Sequence, residues 1–148
     1  MVQFAEFRLG RSFLGRLPEE GDIVQALTAF CRQRDIRAGW IAAIGTVRNA
    51  VLGYYDHIGR QYRRIPVQDF REIASCQGNV SLRDGRPFVH LHAVLSGPDG
   101  ETVAGHLFES TVFVGEFWLQ EAIGPDLERR PDDRSGLALW DLPSEQED

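Results

Sequence analysis

Beyond residue 35 the chain has almost no room between its apolar runs. Seven β-prone stretches follow one another, Trp40 to Ile44, Val47 to Tyr55, Gln61 to Val67, Arg71 to Leu82, Phe88 to Ser96, Glu101 to Leu107 and Phe113 to Ala122. Adjacent parallel strands need a crossover of about a dozen residues or more, so these short connections require an antiparallel sheet. Asp84-Gly85 and Pro98-Asp99-Gly100 supply turns, because glycine accepts positive φ and proline pre-sets the first turn angle.

Two elements precede the sheet. Val2, Phe4, Phe7 and Leu9 nearly alternate with polar residues, which predicts a first strand over Val2 to Leu9. After Pro18, Asp22 stands as an N-cap with Gln25 three residues on to return the capping-box contact. Ile23, Ala26, Leu27, Phe30 and Cys31 then recur at helical spacing, predicting a helix over Ile23 to Arg34. Arg32 and Arg34 meet the negative end of its dipole.

With 148 residues and 43% hydrophobic content, the chain has the size of one domain and enough apolar matter for a core. The expectation is a compact single α+β domain, residues 1–142, with a mainly antiparallel β-sheet and one principal helix. Leu137, Leu139, Trp140 and Leu142 dock, and the acidic end, residues 143–148, frays. No run approaches the roughly 18 apolar residues of a membrane span, and the start Met1-Val2-Gln3-Phe4-Ala5-Glu6 lacks the layout of a signal peptide, so a cytoplasmic location away from membranes is expected. Cys31 and Cys76, distant in sequence and set among apolar neighbours, read as buried free thiols. All sixteen basic residues are arginine, and the formal net charge is −6. Phosphate-backbone affinity comes from clustered cationic side chains, so direct DNA binding is not expected.

The chemistry concentrates in histidine. His90 and His92 are two residues apart in Val89-His90-Leu91-His92-Ala93, so on a strand both imidazoles project to the same face. A three-residue loop over Pro98 to Gly100 pairs Gly97 with Glu101 and sets His92 opposite His106; a two-residue loop shifts that register. In the first register three imidazoles share one side of a hairpin. They suit zinc or another divalent metal, and they leave a fourth position for water or substrate. Neighbouring Gly105 lets backbone or ligand approach closely. The alternative is that these are ordinary polar residues on a solvated sheet face. His57 reads as a loop histidine. Glu116, which interrupts an apolar strand, is the leading carboxylate to orient an imidazole or act in catalysis, with Glu72 behind it; an exposed strand position explains either one equally well.

Taken in order, Ile44-Gly45-Thr46-Val47, Gly53-Tyr54-Tyr55-Asp56, Phe70-Arg71-Glu72-Ile73, Gly78-Asn79-Val80, His90-Leu91-His92, Gly105-His106-Leu107 and Glu116 resemble the plants-and-prokaryotes-conserved (PPC) domain over roughly Phe7 to Leu142. The resemblance implies a compact α+β domain that assembles as a homotrimer. It also implies a metal held by the three motif histidines, here His90, His92 and His106. In plants the domain accompanies AT-hook segments that enter the DNA minor groove. Here Arg83-Asp84-Gly85-Arg86-Pro87 has Asp84 where the hook core requires arginine, and it lacks the flexible cationic flanks of a minor-groove arm. Ser110 stands where the family often has glycine. Three functions follow from this reading: a trimeric metal-bearing module for a small-molecule or protein ligand, a metal-dependent hydrolase-like enzyme, or a DNA-associated regulator that needs a basic partner. No nucleophile motif or nucleotide loop identifies a substrate.

Overall fold

The computed structural model describes residues 2–142. The acidic segment 143–148 lies outside the described residues. Helix α1 (Ile23–Arg34) occupies the predicted span: Asp22 Oδ1 accepts from Gln25 N at 2.7 Å, and Asp35 closes the helix in the left-handed conformation at φ 51. The second Asp22 carboxylate oxygen turns the other way and accepts from Ser110 N at 2.7 Å, while Ser110 Oγ accepts from Ile23 N at 3.1 Å. Ser110 is thus a buried pin between the start of the helix and the sheet.

The first strand is displaced from its expected position. Strand β1 runs over Arg8–Arg16, and Val2 and Phe4 are exposed ahead of it. Gly10 and Gly15 each make room for a neighbour: a Cβ at Gly10 would lie 2.8 Å from Glu121 Oε2. Arg11 fills that corner, donating to Glu121 from its backbone N at 3.0 Å and from Nε at 2.7 Å.

Strands β2 (Gly39–Asp56), β3 (Gln61–Val67), β4 (Arg71–Arg83), β5 (Arg86–Ser96) and β6 (Thr102–Ile123) complete a six-stranded sheet in the order β1-β6-β5-β4-β2-β3. Two pairs of predicted runs are single long strands. In β2 the chain passes Gly45 at φ +140, beside a register shift, without leaving the sheet. In β6 the residues between Leu107 and Phe113 stay paired with β2 through successive bulges. Bulges bend a strand while keeping it in the ladder, which lets both strands curl. Since β2 also pairs with β6, the pairings β2–β4, β4–β5, β5–β6 and β6–β2 close on themselves.

Inside that ring lie Ile41, Val47, Leu52, Leu91, Leu95, Leu107, Val112 and Leu119, all 3% exposed or less. Burying each such side chain contributes about 1.5–3 kcal/mol. Ile23, Leu27 and Cys31 of α1 add to the same core, and Phe13, Phe30 and Phe117 stack edge to face along its flank. Cys31 and Cys76 are buried free thiols. The tail docks as a hairpin of β7 (Arg129–Pro131) and β8 (Ala138–Trp140), tied to the end of β4 by Leu82 N donating to Leu127 O at 2.8 Å. Among the described residues no helix is long and apolar enough to cross a membrane.

Candidate metal centre

β5 alternates buried Val89, Leu91 and Ala93 with His90 and His92, so both imidazoles leave the strand on the face away from the core. The β5–β6 turn has the three-residue form. Gly97 N donates to Glu101 O at 2.9 Å, Gly100 N to Gly97 O at 3.0 Å, and Gly100 takes φ +79. His92 consequently faces His106. That pair ends the β5–β6 ladder, and from there β6 follows β2, with Gly53 as the partner of His106. A Cβ at Gly105 would lie 2.5 Å from Gly53 O, so glycine there is what lets β2 come in behind the site.

The three histidines offer ligand nitrogens that all lie within 4.8 Å of one another. One ion at about 2.0–2.1 Å from each nitrogen requires separations of at most about 4.2 Å, an adjustment within reach of small ring rotations. Among the described residues His106 Nδ1 is buried without a hydrogen-bond partner. The donor set among those residues is three imidazoles with no thiolate and no carboxylate, which matches a borderline divalent ion with an open position. These residues fit a metal.

Electrostatics favour the ligand form. Burial, then Arg129 and the other two histidines, lowers the His90 pKa to about 4; burial, then His92 and Arg129, lowers His106 to about 4. His92 is lowered by burial alone. Neutral imidazoles bind metals without first losing a proton.

Tyr62 and Phe108 wall the site, their rings 5.2 and 4.6 Å from that of His106. Arg129 was not visible as a site residue in the sequence. Its guanidinium donates to Ser81 Oγ at 2.8 Å, to Asn79 Oδ1 at 3.0 Å and to Ala138 O at 3.0 Å, and Nη2 stands 3.3 Å from His90 Nδ1. The only signal for it was the apolar segment around Leu139, which carries β7 onto β4 when it docks.

The structure separates the nominated carboxylates from the histidines. Glu116 and Glu72 are exposed and line a different depression with Arg16, Ile44 and Gly45, and Thr46 Oγ1 donates to Glu72 at 3.0 Å. His57 lies on the exposed turn between β2 and β3. Asp84 and Gly85, at φ 53 and 70, form the β4–β5 turn, so the hook-like Arg83 to Pro87 segment is a closed hairpin and no flexible arm.

Residues 4–123 match the family described as the Plants and Prokaryotes Conserved (PCC) domain. A metal-containing protein of Archaeoglobus fulgidus superposes with a TM-score of 0.91 at 41% identity, over 94% of this chain and 99% of that one. A plant- and prokaryote-conserved (PPC) protein of Pyrococcus horikoshii gives a TM-score of 0.91 and 41% identity, over 97% and 99%. The bifunctional protein GlmU of a Synechococcus strain is 29% identical over 124 residues, 82% of this chain; the chain spans only 19% of that protein's length.

Proposed function

The chain belongs to the Plants and Prokaryotes Conserved domain family, and on that premise we propose that it is a trimeric, metal-bearing binding module. His90, His92 and His106 hold one divalent ion, zinc by the chemistry of the donors, and a small-molecule or protein ligand takes the open position. The observation that carries this reading is the convergence of three neutral imidazoles within 4.8 Å. The metal-containing relative from Archaeoglobus supports it. When bound, such an ion supplies Lewis acidity and lowers the pKa of a coordinated water. The protein's own part is to hold the three rings on a closed sheet and to wall them with Tyr62 and Phe108.

Assembly is supported by an apolar face on the outside of β1, β6 and β2. Leu14 pairs with Trp118, which pairs with Ala42, and Trp40 and Ile44 leave β2 on the same side as Ala42. Leu14 is 85% exposed, Ile44 59%, and Trp40 and Trp118 each 52%. Patches of this kind on a soluble chain mark contact surfaces. Direct DNA binding has no comparable support, given the net charge of −6.

Elemental analysis of protein made without a histidine tag tests the metal. One zinc per chain is expected, falling to near zero in His90→Ala, His92→Ala and His106→Ala while the fold persists, because the core uses the opposite faces of these strands. Protein that stays metal-free after zinc incubation and dialysis would refute the reading. A hydrolase-like activity has the open metal position in its favour, but among the described residues no carboxylate joins the three histidines to move a proton.

A further inference from the structure

Between the histidines and the β7–β8 hairpin lies a cavity of about 240 Å³. His90 and His106 form one end, Tyr62, Phe88, Phe108 and Leu139 form the walls, and Arg129 and Arg83 border it. The volume falls below the range of about 300–1,000 Å³ usual for drug-sized ligands, so its occupant is a small molecule.

The charges there do not balance. Arg129 is half-buried and pinned by neutral acceptors, Ser81 Oγ, Asn79 Oδ1 and Ala138 O. Among the described residues neither Arg129 nor Arg83 has a carboxylate within ion-pair distance. The nearest acid in sequence, Glu128, is turned to the β4–β5 turn, where Gly85 N donates to it at 3.2 Å. A divalent ion on three neutral imidazoles would add two further positive charges and, among the described residues, bring no protein anion with it. Desolvating cations without a counter-charge is costly, so a cavity lined this way selects an anion. Arg32 and Arg86 share the adjoining depression with Arg83, Phe88 and a single acid, Asp84, so cations outnumber anions on the approach of a protein whose net charge is −6.

We infer that this cavity binds a small organic carboxylate, its acid group held between Arg129 and the histidine centre and its apolar body laid against Phe88, Phe108 and Leu139. The metal-side contact rests on the reading proposed above; the arginine contact does not. The apolar walls separate this ligand from inorganic anions. One Arg129 Nη1 hydrogen beyond that given to Ala138 O remains for the ligand. The guanidinium is already fixed in place, so little side-chain freedom is lost on binding.

The test is calorimetric titration of the full chain, with its zinc content measured in parallel, using benzoate, benzamide, acetate and inorganic phosphate as probes. Benzoate is expected to bind saturably at one per chain, with benzamide weaker by about tenfold or more, and acetate and phosphate weaker than benzoate. Arg129→Gln and Arg83→Gln are each expected to weaken benzoate binding several-fold at unchanged zinc content. Because Arg129 also ties the hairpin to β4, Leu139→Asp provides a second variant: it sets a carboxylate at an exposed wall position and should abolish benzoate binding while zinc stays bound. Equal affinity for benzoate and benzamide, phosphate binding as tightly as benzoate, or benzoate binding unaffected by both Arg83→Gln and Leu139→Asp would each overturn the proposal. So would the absence of saturation up to about 10 mM benzoate in protein that carries its zinc. If the chain carries no zinc, the metal reading has failed, and the carboxylate site is judged on the metal-free protein by the same benzoate-to-benzamide ratio.

Discussion

Single residues here do their work by where a neighbour leaves them. Two of the three histidines sit deep enough, and near enough to Arg129, to stay neutral down to about pH 4. Their unfolded counterparts take up protons from about pH 6.5. In the metal-free protein the unfolded state therefore binds more protons than the folded state between those limits. Stability is then intact above pH 6.5 and falls as pH drops toward 4. Chemical denaturation of chelator-treated protein over this range should show the loss, and His90→Gln combined with His106→Gln should flatten it. An unchanged slope in the double variant would mean that other groups set the acid limit. Zinc-loaded protein should resist the same acidification better, because the bound ion competes with the protons. Glu121 acts in the same direction lower on the pH scale: Arg11 hydrogen bonds hold its carboxyl below the usual range, so its contribution is present above that range and fades in stronger acid.

At the scale of strands, the metal centre depends on how closely β4 and β5 approach beneath it. Gly78 pairs with Leu91, and a Cβ at Gly78 would overlap the His90 carbonyl and lie 2.9 Å from Leu91 Cα. The obstacle is backbone, which cannot swing aside. Gly78→Ala is expected to destabilise the fold by about 1–3 kcal/mol or more, as overpacking does, and to weaken zinc binding by shifting the strand that carries two ligands. A thermal melt and a competitive zinc titration read the two effects separately; a variant matching the parent in both would show that the strands have slack. The helix and the β5–β6 hairpin were legible in the sequence because their signals are local: Asp22 and the spacing of Ile23, Leu27 and Phe30 for one, Pro98-Asp99-Gly100 for the other. β1 was not, because its glycines make sense only against Glu121 and Phe117, more than a hundred residues away. The join of two runs into β2 was hidden for the same reason, since Gly45 looks like a break until β6 is beside it. Arg129 stayed invisible because the apolar segment around Leu139 signals only that the tail docks; what marks Arg129 itself is β4, through Asn79 and Ser81.

At the scale of the whole molecule, the closed ring of β2, β4, β5 and β6 satisfies the core and leaves one sheet face unaccounted for. Phe13, Ile41, Phe117 and Leu119 point inward from β1, β2 and β6, while Leu14, Trp40, Ile44 and Trp118 point outward from the same strands. Two tryptophans about half exposed beside a leucine and an isoleucine more exposed still make a surface that water covers poorly. Stable protein contacts bury about 800 Å² per partner around such aromatic centres. The depression beside this face holds Glu116 and Arg16, so the polar residues nearest to it are placed for a rim. The expected state is a homotrimer, and light scattering coupled to size exclusion should give three times the chain mass across micromolar dilution. Trp118→Glu with Leu14→Glu sets two carboxylates at directly paired positions of that face and should yield monomers with their secondary structure intact. Zinc binding should survive in those monomers, because every imidazole of the site comes from one chain, His90 and His92 from β5 and His106 from the end of β6 remote from Trp118. A monomer or dimer mass for the unaltered protein, or a trimer that persists in the double variant, would move the assembly surface elsewhere.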